Sequence, residues 1–113
     1  MIEQVYPRDF DTWLAAARAH GEPLVLDVRE PWEWQTASVR ADGFELMTLP
    51  MRAVPVRLHD LDRSRPIACL CHHGGRSMQV AAFLAHHGFE HVANIAGGID
   101  AWAREKDPNL PRY

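Results

Sequence analysis

The chain has no apolar run approaching the roughly 20 residues that a membrane-spanning helix needs. It has no block of basic residues either: 12 Lys and Arg stand against 15 Asp and Glu, for a net charge of −3. That balance argues against nucleic acid as a partner. The opening MIEQVYPRDF is not a secretory signal, so the expected compartment is the cytosol, where thiols stay reduced. Internal repeats and low-complexity tracts are absent. Cysteine is scarce, with only Cys69 and Cys71. Residues two apart on a strand share a face, but that geometry does not suit a mutual disulfide. Cys69 reads as a buried apolar filler; a resolving thiol is the competing role.

What is present suits one globular domain. A chain of 113 residues builds one core and not two, and 47% hydrophobic with 24% charged residues is ordinary for such a domain. Residues 2–5 suggest a short first strand. Pro7 and Asp9 open a helix carrying Phe10, Trp13, Leu14 and Ala17 at helical spacing. Residues 24–28, LVLDV, form an apolar run of strand length, as expected of a strand covered on both faces. A short helix follows Pro31, then a third strand over 44–49, and a helix with Val54, Leu58 and Leu61 whose start Pro55 complicates. Residues 67–71 make a fourth strand, 77–87 a helix stopped by Gly88, and 92–95 a fifth strand. Gly97-Gly98 turns into a last helix with Ile99 and Trp102 facing inward. Residues 1–106 are taken as the domain and 107–113 as a loosely packed tail. Alternating strands and helices predict an α/β fold with a parallel sheet covered on both faces. Ligands in such sheets sit beyond the carboxyl ends of the strands, where Asp27 and Cys71 fall.

The stretch CHHGGRS, Cys71 to Ser77, joins a strand end to a helix start with little side-chain bulk. Amides at a helix start lack internal partners, and the helix dipole adds positive charge there. Gly74 and Gly75 let the backbone curl until successive N–H groups converge, forming an anion-binding nest with Cys71 at its focus. Such surroundings, with the Arg76 charge, favour thiolate over thiol. They would also hold a further anionic atom bonded to that sulfur. A purely structural strand–turn–helix with a buried cysteine is the competing reading.

The segments CHHGGRS, AAFLAHHGFEHVANIAGGIDAW and LVLDVREPWEW together resemble rhodanese domains, the single-domain sulfurtransferases. The resemblance covers roughly residues 24–102. It implies a five-stranded parallel sheet flanked by helices and a persulfide relay without a cofactor. By the resemblance, Cys71 is the nucleophile and sulfur carrier. The amides of His72, His73, Gly74, Gly75, Arg76 and Ser77 cradle the persulfide. Arg76 holds the loop shape or attracts an anionic donor, and Asp27 and Arg29 brace the loop from the neighbouring strand end. Related phosphatases and arsenate reductases place five residues between Cys and Arg; the four here suit one extra sulfur better than a tetrahedral oxyanion. The partners implied are a small anionic sulfur donor and a thiol or protein acceptor. The alternative is a non-turnover sulfur-carrier or protein-docking module. One family element departs: the region after the first short helix reads ASVRADGFELMTLP, without the His-Ile-x-Gly-Ala pattern.

The seven histidines raise a metal hypothesis. His72-His73 and His86-His87 are adjacent pairs, and adjacent residues seldom converge on one ion, so no metal site is expected. His72 and His73 are placed at the pocket mouth, where either can carry positive charge near neutral pH. The helix over 77–87 is apolar around most of its circumference, with Gln79 and His86 marking the solvent stripe. Of Trp32 and Trp34, one is expected in the core and the other on the pocket rim or a partner surface.

Overall fold

The computed structural model describes residues 2–113. Five strands, β1 (Glu3–Val5), β2 (Leu24–Asp27), β3 (Glu45–Thr48), β4 (Ile67–Leu70) and β5 (Val92–Ile95), form one sheet. Their spatial order is β1-β5-β4-β2-β3, and every adjacent pair is parallel. The helices are α1 (Phe10–Ala17), α2 (Pro31–Thr36), α3 (Gly75–His86) and α4 (Gly98–Glu105). This is the parallel α/β domain that the alternation of elements predicts.

Burial follows position in the sheet. The inner strands β2 and β4 are buried throughout, which is why they read as apolar runs, broken only by Asp27. The period of two sorts their side chains into two layers. Leu24, Leu26, Ile67, Cys69 and Cys71 pack with Val80, Ala81 and Leu84 of α3. Val25, Ala68, Leu70 and Ile95 pack with Phe10 and Leu14 of α1 and Ile99 and Trp102 of α4. The register sets Asp27 beside Leu70, so Cys71 leaves β4 at the carboxyl edge of the sheet.

Three expectations change. Val54, Leu58 and Leu61 do not share a helix; the segment makes two single 3-10 turns, Met51–Ala53 and Leu58–Asp60. Pro55 has no N–H to donate and its ring clashes with a preceding helical turn. Helix α3 begins at Gly75, two residues before Ser77, and packs on one side only. Ala82 and Ala85 face solvent, since alanine suits an exposed helix position as well as a buried one. The segment after residue 106 is not loose. Leu110 and Tyr113 rest against the α1–α4 layer, and Arg112 pairs with Asp100 at 3.0 Å.

Candidate active site

Cys71 immediately follows β4, and Gly74 turns the chain into α3 with φ of 104°, in the left-handed region that favours glycine. The turn aims the start of α3 at the sulfur. Gly74 N–H donates to Cys71 Sγ at 3.1 Å and Ser77 N–H at 3.3 Å, while Ser77 Oγ lies 3.2 Å away. Of the amides expected from His72 to Ser77, these two reach Sγ. Cys71 is only 1% exposed, although His73 and Gly75 on the outer side of the loop are exposed.

Helix α4 holds the loop from its other side. Ile99 N–H donates to the Cys71 carbonyl at 2.8 Å and Asp100 N–H to the His72 carbonyl at 3.1 Å. Gly98 passes so close that a Cβ there would collide with both carbonyl oxygens. Two helix N-termini therefore meet at one loop: α3 donates to the sulfur and α4 to the backbone behind it.

Behind the loop lies a buried charge network. Arg29 and Asp27 are fully buried and paired, with Nη2–Oδ2 at 2.7 Å and Nε–Oδ1 at 2.9 Å. Arg29 also donates to the Ala37 carbonyl, the Glu33 carbonyl and the Tyr113 hydroxyl. Burial alone would lower its pKa; the bonds to Asp27 and Tyr113 outweigh that and hold it raised. The pair thus braces α2 and the segment lacking the family histidine, not the loop directly. The connection to the loop is Glu33, whose carboxylate accepts both Arg76 nitrogens at 2.7 and 2.9 Å and the Tyr113 hydroxyl at 2.7 Å. The Arg76 guanidinium holds the Glu33 carboxyl down at about 2. Arg76 is thereby tied into the scaffold.

Nothing in the local sequence marks Glu33 for the interior, where one of the flanking tryptophans is expected instead. In the structure Trp32 is 61% exposed, Trp34 is half-buried, and Glu33 between them is buried. Asn94 was also missed. It is buried, and its side chain contacts Ser77, Gly74 and Gln4. The available signal was a polar residue within the otherwise apolar VANI strand.

At the mouth, the Tyr113 ring stacks on His72 and His72 on His73, each with ring centroids 3.9 Å apart, and Trp32 meets Tyr113 edge to face with centroids 5.9 Å apart. Burial, with His73 alongside, lowers the His72 pKa, which disfavours the cationic form of that ring. His72, His73 and Asp100 bring one ligand-type atom each within 4.8 Å of one another. The Asp100 carboxylate there is already paired with Arg112 and Arg104. Cys69 is fully buried, and burial pushes its thiol up, which agrees with a filler and not a second nucleophile.

The fold and this cysteine loop define a class: a parallel α/β domain whose strand–loop–helix at the carboxyl edge of the sheet turns backbone amides onto a cysteine sulfur. The rhodanese-like domain model matches residues 10–105, and the chain belongs to that family. A sulfurtransferase of Allochromatium vinosum is 34% identical over 85 residues, covering 75% of this chain and 76% of that protein. The rhodanese-like/PpiC domain-containing protein 12 of Arabidopsis thaliana chloroplasts is 40% identical over 94 residues, but this chain spans only 31% of its length. A rhodanese-related protein of Thermoplasma volcanium superposes with a TM-score of 0.77 at 26% identity, covering 98% of this chain and 99% of that one.

Proposed function

We propose that the protein moves a sulfane sulfur from a small anionic donor to a thiophilic acceptor through a persulfide on Cys71. Family membership and the sulfurtransferase relative support sulfur transfer in general. The finer reading is carried by one observation: two backbone amides converge on Cys71 Sγ within 3.3 Å. Amides so placed hold negative charge on sulfur without reorganising.

Cys71 thiolate attacks the outer sulfur of a thiosulfate-like donor. The donor S–S bond breaks and sulfite departs with the bonding pair, leaving the cysteine persulfide. An acceptor, cyanide in an assay, attacks the terminal sulfur; thiocyanate forms and the Cys71 thiolate is released. The two half-reactions balance without an outside oxidant or reductant. Gly74 and Ser77 amides hold the inner sulfur, and those of Gly75 and Arg76, which have no partner within the helix, serve the outer one. Arg76 keeps the loop in shape through Glu33, and Asp27 with Arg29 supports α2 behind it.

Incubation with thiosulfate is expected to add one sulfur atom, seen by intact mass, and cyanide to remove it as thiocyanate. The Cys71→Ala protein should do neither; thiocyanate formation by that variant at the normal rate would overturn the reading. The 1% exposure of Cys71 favours a second one, a carrier that loads once and discharges only to a docked acceptor. Fast single-turnover loading with weak steady turnover to cyanide would select it. Cys71-dependent hydrolysis of an aryl phosphate would point to a phosphatase instead.

A further inference from the structure

Ser77 and Asn94 lie behind Cys71 at 0% and 3% exposure. The register sets Asn94 between Cys69 on one side and Gln4 on the other. Asn94 Nδ2 donates to the Gly74 carbonyl at 3.2 Å and to Gln4 Oε1 at 3.0 Å. Both amide protons are then engaged, and Oδ1 is the atom 2.6 Å from Ser77 Oγ. Reversing the amide would set Oδ1 against the Gly74 carbonyl, which can only accept, so the network determines the orientation. Oδ1 also only accepts. The single hydroxyl proton of Ser77 therefore points at Asn94, and Ser77 turns a lone pair toward Cys71 Sγ, 3.2 Å away.

We propose that Asn94 is a positioning residue that governs the protonation of Cys71 by holding the Ser77 proton. With the thiol protonated, S–H donates to Ser77 Oγ and the row is satisfied. When the thiol gives its proton to solvent, two acceptors face each other. Ser77 O–H must then rotate from Asn94 to the sulfur, leaving Asn94 Oδ1 unpaired in a buried place. Asn94 thus opposes the anionic sulfur that the amides favour. Its bearing on sulfur transfer rests on the function proposed above; the proton routing does not.

The charged and titratable groups around Cys71 are Cys69 on β4, Arg76 on α3 with Glu33 of α2 behind it, His72 and His73 of the loop, Asp100 of α4 and Asp27 of β2. All are unchanged in Asn94 variants, so they cancel in the comparison.

The test follows thiolate ultraviolet absorbance against pH, with the Cys71→Ala protein, which keeps Cys69, as blank. Asn94→Leu removes the acceptor and frees the Ser77 proton for the sulfur. The Cys71 titration midpoint should fall by about one pH unit, roughly a tenfold rise in thiolate at fixed pH below the midpoint. In a Ser77→Ala background the same change should move it by less than about 0.3 unit. An unmoved midpoint overturns the proposal. So does an equal fall without Ser77, which would mean that Asn94 acts by shaping the loop through Gly74. If circular dichroism shows Asn94→Leu unfolded, Asn94→Ala takes its place with the same expectations. Thiosulfate loading of the same proteins keeps the two readings apart. A wild type that takes no sulfur removes the function and leaves the proton routing standing. Loading by a protein whose midpoint ignores Asn94 does the reverse.

Discussion

Glu33 receives Arg76 through both carboxylate oxygens, the Tyr113 hydroxyl and the Glu30 amide. Arg76 lowers its pKa from the usual 4.5 to about 2, against burial, which acts in the other direction. A folded-state pKa below the unfolded one gives stability that is complete above pH 4.5 and lost as pH falls toward 2. Glu33→Gln should therefore flatten the acid side of a urea-midpoint against pH curve across that window. At pH 7 it should cost about 1–2 kcal/mol, a figure kept low because Arg76 is partly solvated. An unaltered slope between pH 4.5 and 2 would exclude Glu33 as the titrating group. The charge of this residue was plain in the sequence, but its burial was not. Helix α2 has six residues, too few for a periodicity to tell the buried face from the exposed one.

At the scale of elements, the site depends on two helix starts, each introduced by a glycine with positive φ. The Gly97-Gly98 turn was legible as a turn, and Ile99 and Trp102 as the inward face of α4. Its contact with the cysteine loop was not, because that contact joins two separate strand–helix connections. Gly98 has φ of 63° and no room for a Cβ beside the Cys71 and His72 carbonyls. Gly98→Ala should lower stability by at least about 2 kcal/mol in urea denaturation, from backbone strain and displacement of the loop. It should also slow sulfur loading of Cys71, since the Ile99 and Asp100 amides that hold the loop carbonyls would shift. Loading at the wild-type rate in a folded Gly98→Ala protein would show that α4 does not shape the loop.

At the scale of the whole molecule, the last residues return across the sheet edge to the loop. Tyr113 stacks on His72, accepts from Arg29 at 2.8 Å and donates to Glu33, and its own pKa is pushed up to about 12, chiefly by burial. Tyr113→Phe keeps the ring but removes the hydroxyl that both charged groups use. It should cost about 1 kcal/mol. Removing residues 107–113 should cost more and expose His72, seen as a lower melting temperature and faster proteolysis near the loop. Equal stability of the chains with and without residues 107–113 would contradict the packing of this segment.

The sequence by itself determined the parallel sheet, the place of Cys71 at its carboxyl edge and the tight glycine loop into α3. Those features rest on local signals: short apolar runs, Gly and Pro punctuation, and the amides that every helix start leaves unpaired. Only the tertiary structure decided which polar groups meet around the sulfur. Asn94 reaches Gln4 across 90 positions, and Tyr113 reaches Glu33 across 80. Such meetings depend on strand register and on where the chain returns. Neither leaves a periodic trace in the segments that take part.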